Sequence, residues 1–206
     1  MRLVKHFYMA LALLVGALIV FVSIDYIQPD FNRGFLIGKE PLYPYFGYAL
    51  YAHMLGAPLA LFTGIYQFTF TRSRAHQVLG KVYTLSILLM AAPSGLYMSF
   101  WAIGGTLSTI NFLLMSAGWW WFTWQAFRQI KKGNVAQHRR FMTRSFILTN
   151  SAIMIRLFSF VNNHYELTDV TTGYMIIAWI SWLPWLLIYE LSLLRKQRSA
   201  NLASHA

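Results

Sequence analysis

Three histidines on separate apolar stretches are the residues of this sequence best suited to chemistry. His53 lies deep inside a charge-free run, while His76 and His138 each stand in a basic segment that opens one. The first segment reads Arg72-Ser-Arg-Ala-His76-Gln-Val-Leu-Gly80-Lys-Val-Tyr83. The second reads Ala136-Gln-His138-Arg139-Arg140-Phe-Met142-Thr-Arg144-Ser145. Imidazole is the side chain that serves equally as a metal ligand and as a proton carrier near neutral pH. A haem in a helix bundle needs an axial imidazole from each of two facing helices, small residues where the macrocycle meets backbone, and cations for its propionates. His76 and His138, with Arg139, Arg140 and Arg144 beside them, meet those needs as haem-iron or metal-ion ligands. His53 then belongs to a second site, with Arg156 as its charged neighbour. His6 and His205 near the termini and His164 in Asn162-Asn163-His164-Tyr165 are weaker candidates.

Helical spacing supports the same residues. His138 and Arg156 are eighteen positions apart, five turns of helix, so they share a face about 27 Å apart with Ser145 and Thr149 close to the line between them. His76, Gly80 and Tyr83 line up in the same way. His53, Gly56, Ala60, Gly64 and Gln67 fall on one nearly bulk-free face, where a neighbouring helix or a flat ligand can approach closely.

Composition removes other chemistry. The 206 residues contain no cysteine, which excludes disulfides, Cys-ligated zinc, iron–sulfur clusters, thiolate haem and cysteine nucleophiles. The sole acid within a candidate span is Glu190, so paired-carboxylate catalysis and an intramembrane carboxylate relay have no groups to use. Gly-x-Ser-x-Gly, phosphate-loop, Gly-x-Gly-x-x-Gly and His-Glu-x-x-His motifs are absent. The formal charge of +11 does not indicate nucleic acid, because the bases alternate with long uncharged runs rather than forming a soluble basic face.

The elements that must position these residues are membrane helices. Hydrophobic residues make up 57% of the chain and charged ones 11%, with a mean hydropathy of +0.47. At roughly 20 residues per crossing, six spans fit, near 7–24, 44–70, 82–103, 107–127, 141–161 and 174–194. The charge-free stretch from Val82 to Phe127 would measure about 69 Å as a single helix, so it must fold back, and Gly104-Gly105-Thr106 is the best place for the turn. Pro93 predicts a kink near Ser94. The basic start at Arg2 and Lys5 resembles that of a signal peptide, but no small-x-small cleavage site follows, so an uncleaved first helix is expected.

One side collects Arg2, Lys5, Arg72, Arg74, Lys81, Arg128, Lys131, Lys132, Arg139, Arg140, Arg144, Arg195, Lys196 and Arg198, whereas Arg33 and Lys39 fall on the other. By the positive-inside rule both termini are cytoplasmic. The expectation is an all-α, polytopic bundle forming a single integral membrane domain, with the second to fifth helices as its core. Trp101, Tyr165, Tyr174 and Trp124 sit where interfacial rings belong. The Trp119 to Trp124 run and Trp179, Trp182 and Trp185 read mainly as belt and lipid-facing bulk.

With these motifs in hand, the chain resembles the bacterial membrane proteins grouped as domain of unknown function 2306. The resemblance covers most of the chain. It rests on the His53 segment with its glycines and Gln67-Phe68, on His76-x3-Gly80-x2-Tyr83, and on His138-Arg139-Arg140-x-Met142-x-Arg144-Ser145 followed by Arg156-Leu157. Gln77 stands where the family usually has Arg, and Phe141 where it usually has Trp; neither change removes a ligand. The resemblance implies an architecture without an activity. In outline the bundle is also similar to cytochrome b561-like arrangements, an analogy of fold alone.

Two functions follow as expectations. One is a b-type haem protein of the bacterial inner membrane that moves electrons between a carrier such as a quinone and another redox protein. The other is a non-enzymatic module that binds or transports a small anionic or lipid-like ligand at a basic cytoplasmic mouth. Membrane lipids are partners in either case, and a chain of this size can assemble as a homo-oligomer. Simpler roles stand beside these: His76 and His138 at lipid headgroups, His53 in an interhelical hydrogen bond, Arg156 snorkelling, and the small-residue stripe as helix packing.

Overall fold

The computed structural model describes residues 2–32, 36–70 and 74–204. Arg33, Arg72, Ser73 and His205 therefore lie outside the described residues. Among those described, all regular structure is helical. The α-helices are α1 (Arg2–Ser23), α2 (Tyr43–Thr69), α3 (Arg74–Ser86), α4 (Ala92–Met98), α5 (Gly105–Lys131), α6 (Val135–Tyr165), α7 (Val170–Ile180) and α8 (Leu183–Ser204).

Breaks between helices fall where the sequence removes a donor or permits an unusual backbone. A π turn, Ile87–Ala91, joins α3 to α4 immediately before Pro93, whose nitrogen cannot bond the preceding turn. Gly104 and Gly105 have φ of 94° and 70°, the left-handed region that glycine enters without penalty, and the chain reverses there into α5. Pro184 lies at the start of α8, and a turn at Ser181-Trp182 divides α7 from α8. Asn134 caps α6 by accepting from the Gln137 amide, and Asp169 caps α7 by accepting from the Thr171 and Thr172 amides.

Among the described residues, four helical stretches, Glu40–Thr69, Arg74–Ser99, Val135–Tyr165 and Val170–Leu202, are long and apolar enough to cross a membrane. The sequence reading expected six. α5 is 27 residues long but carries Ser108, Asn111, Ser116 and Thr123, all buried, so its inward face is polar and its average apolarity falls. Leu89 on the π turn and Leu187, Ile188 and Leu191 on α8 stay exposed, as side chains facing lipid do.

The core sits among α2, the α3–α4 unit, α5 and α6. Ala60, Tyr83, Ile87, Ala91, Ala92, Trp119, Ala126, Met142 and Leu148 pack there, with Trp182 closing it from the α7–α8 turn. The small residues of α2 serve this packing rather than a flat ligand. A Cβ on Gly56 would lie 2.8 Å from Met90 Cβ and 2.9 Å from the Ala91 nitrogen, and one on Gly64 would lie 2.8 Å from the Phe146 ring. Trp119 and Trp182 are likewise core residues, each only 6% exposed, because each indole N–H finds a buried acceptor: Thr149 Oγ1 at 3.0 Å and Asn111 Oδ1 at 2.9 Å.

Candidate functional site

The three histidines are held by one device. His53 Nδ1 donates to the Ala91 carbonyl at 2.9 Å, His76 Nδ1 to the Phe70 carbonyl at 2.9 Å, and His138 Nδ1 to the Ala126 carbonyl at 2.8 Å. A carbonyl only accepts, so each bond fixes the proton on Nδ1 and leaves Nε2 of the neutral ring as the acceptor. Local structure explains why these carbonyls are reachable. Phe70 follows the last residue of α2, and Ala91 ends the π turn. Gly95 lies beside the His53 ring and close to α5, where a Cβ would come within 2.9 Å of Ser116 Oγ.

His76 and His138 stand at the same basic end, close enough for their charges to interact. Gln67 fixes the entry to α3 by donating to the His76 carbonyl at 2.7 Å, and its side chain occupies the space beside Gly80. The cations of this end are not equivalent. Arg144 is held by Glu190 of α8 in a two-point bond, Nε to Oε1 at 2.6 Å and Nη2 to Oε2 at 2.8 Å, and lies over the Phe122, Phe141 and Tyr189 rings. Arg139 is exposed and Arg140 half-buried.

From this end a hydroxyl network runs into the bundle. Tyr83, fully buried, hydrogen-bonds through its hydroxyl to Ser145 Oγ at 2.8 Å and Thr149 Oγ1 at 2.9 Å. Ser145 Oγ also meets Thr123 Oγ1 at 2.7 Å. The polar stripe of α6 is thus a buried seam against α3 and α5.

The seam ends at a cavity of about 260 Å³, and Thr149 and Trp119 are in the wall of both. His53, Arg156, Lys39, Tyr26 and Tyr174 also line it, and Phe46, Leu50 and Leu148 are among the apolar residues of its wall. Tyr26, Lys39 and the 99–103 segment border it, at the end opposite His76 and His138, neither of which is among its described lining residues. Arg156 hydrogen-bonds the Ala152 carbonyl of its own helix at 3.1 Å, and Tyr26 and Tyr174 are the neighbours its charge meets. Lys39, just before the Glu40–Thr69 stretch and only 6% exposed, sits 5.4 Å from the Phe46 ring centre, and burial pulls its ammonium below the usual lysine range. Among the described residues, no Asp or Glu lines the cavity.

His53 and Arg156, paired in the sequence by depth alone, therefore share one chamber, and His76 and His138 lie at the other end. Lys39, Tyr26, Tyr174 and Trp119 were not picked out as site residues. Trp119 had a legible signal, since Ser116, Trp119, Thr123 and Ala126 follow helical spacing as one inward face. Lys39 and Tyr26 arrive from an irregular connection, which periodicity cannot place.

A family profile described as predicted membrane protein (DUF2306) matches residues 50–193. The chain belongs to this family, domain of unknown function 2306, and is a membrane protein. No curated protein and no solved structure matches it.

Proposed function

We propose that the protein binds, or passes across the membrane, a small ligand held in the cavity between α2, α4, α5 and α6. The observation that carries this reading is the meeting of His53 and Arg156 in one otherwise largely apolar chamber. An ionisable group at membrane depth is costly unless it serves a pathway or a site, and two on one cavity wall share that purpose. Apolar walls with a few convergent polar groups are the usual make-up of a small-molecule site, and about 260 Å³ lies just below the usual range of about 300–1,000 Å³, as suits a small ligand. The basic end, where the sequence reading placed the ligand, becomes the cytoplasmic anchor of the bundle.

In this proposal the chain crosses a bacterial inner membrane six times with both termini cytoplasmic. The 22-residue α1 and 27-residue α5 have the length for the two further spans. Lys131, Lys132, Arg139 and Arg140 would then lie inside, where such residues concentrate.

Native mass spectrometry of protein extracted from membranes tests the ligand. A small adduct is expected on the wild type and lost from Ala57→Phe, which fills the cavity wall. An adduct of equal abundance on both, or none on either, overturns the reading.

A second reading keeps haem b at His76 and His138. Its support is that each ring is anchored through Nδ1 to a carbonyl, the arrangement that orients metal-ligating imidazoles. Haem there would supply one-electron chemistry with a quinone or a redox protein. Oxidised and dithionite-reduced visible spectra decide it: a Soret band that shifts on reduction and is lost in His138→Ala supports haem, and a colourless protein rejects it.

A further inference from the structure

We infer that the ligand of this cavity is a small monocarboxylate with an apolar body, its carboxylate seated on Arg156 and its body lying along Phe46, Leu50 and Leu148. This deepens the ligand-binding reading and rests on it.

The argument begins with charge. The described residues that line the chamber include Arg156 with its guanidinium, and neither Asp nor Glu is among them. Arg156 hydrogen-bonds the Ala152 carbonyl of its own helix through Nη1 at 3.1 Å. Its five-donor guanidinium is left with several N–H groups that a carboxylate can take two at a time. A cation in a low-dielectric wall with no acidic partner among the described residues is costly, and an anionic ligand recovers that cost when it binds. A cationic ligand would set a second positive charge beside Arg156, and a neutral one would leave the guanidinium as it is.

The apolar walls set the rest of the molecule. Phe46, Leu50, Met54, Ala57 and Leu148 offer no polar side-chain atom, so they favour hydrocarbon over a second charged group. Size gives the limit. At about 30 Å³ per water-sized group, the chamber holds about nine such groups, enough for a medium-length chain. His53, with Nδ1 bonded to Ala91, adds Nε2 as an acceptor in the wall; it suits a ligand hydroxyl or an undissociated acid and does not compete for the carboxylate.

Isothermal titration of the protein in nanodiscs with octanoate and with 1-octanol tests the class. These probes share a chain and differ in the head. The wild type is expected to bind octanoate at least about tenfold more tightly than octanol. Arg156→Gln should abolish that preference, and Arg156→Lys should keep part of it; thermal melting confirms that each variant is folded. Equal binding of both probes to the wild type, lost together in Ala57→Phe, overturns the carboxylate assignment and leaves the cavity reading standing. A preference for octanoate unchanged in Arg156→Gln also overturns the assignment. Binding of neither probe overturns both.

Discussion

His53 and Ala91 are joined by a 2.9 Å hydrogen bond from the imidazole of α2 to the last carbonyl of a π turn. The turn widens the helix just where Pro93 withdraws a donor, and it lets side chains from other helices bond to backbone. Trp120 of α5 uses the same opening, its indole reaching the Leu88 carbonyl at 3.2 Å. One local irregularity in α3–α4 thereby fixes the orientation of a residue in the cavity wall.

Replacing His53 by Ala separates the structural role of that bond from the role of Nε2. The Ala91 carbonyl keeps the bond it accepts from Ser94 Oγ at 3.1 Å, so loss of the imidazole bond should cost about 0.5–1.5 kcal/mol. His53→Asn, whose amide can still donate to Ala91, should recover part of the melting temperature. If both variants melt like the wild type, the bond does not anchor α2 to the π turn.

Gly56 carries the closest approach between α2 and the π turn. A methyl there would meet Met90 Cβ and the Ala91 nitrogen inside 3.0 Å, and backbone cannot step aside as a flexible side chain can. Gly56→Ala should destabilise by about 1–3 kcal/mol through overpacking. Gly80→Ala, whose nearest atom would be Gln67 Nε2 at 3.5 Å, is the internal control and should change the melting temperature little. Comparable loss in both would show that helix contact distance is not the cause.

Tyr83 bonds Ser145 and Thr149 at the centre of the seam. Tyr83→Phe keeps the ring and removes both bonds, leaving the Thr123–Ser145 and Trp119–Thr149 contacts in place. A loss of about 1–2 kcal/mol is expected, since the two hydroxyl partners retain other bonds. Thermal melting that is unaltered by this change would mean the seam is held by packing alone.

The all-helical membrane bundle was legible because long uncharged runs and a turn at Gly104-Gly105 leave little choice of architecture. The seam on α6 was legible as well, since Ser145 and Thr149 lie on the face that joins His138 to Arg156. The cavity was not. It depends on how far α2, α4, α5 and α6 stand apart at one end and on a connection that inserts Lys39 and Tyr26, and neither distance nor loop path is encoded in periodicity. The role of Arg144 was hidden for a related reason. Glu190 is 46 residues away, and only the packing of α8 on α6 makes them partners.

That pair allows a test by charge exchange. Arg144 and Glu190 have side-chain exposures of 16% and 38%, so water screens them partly and a coupling of about 1 kcal/mol is expected. Arg144→Glu and Glu190→Arg should each lower the melting temperature, and the double exchange should restore part of the loss. Additive losses in a double-mutant cycle would show that the contact contributes nothing to holding α8 against α6.

Asp169 gives the fold a dependence on acid at the cap of α7. Its side chain accepts from the amides of Thr171 and Thr172, each at 3.0 Å, and hydrogen bonding from Thr172 above all holds its carboxyl below the usual aspartate range. A folded pKa below the unfolded one means that the unfolded chain takes up the proton more readily. The stabilisation is therefore complete above the unfolded aspartate value and is lost as the pH falls through the folded one. Asp169→Asn keeps a capping oxygen but no titrating group. Its melting temperature should fall less steeply than that of the wild type between about pH 5 and pH 3. Identical slopes for the two proteins over that range would show that the cap does not depend on the charge of Asp169.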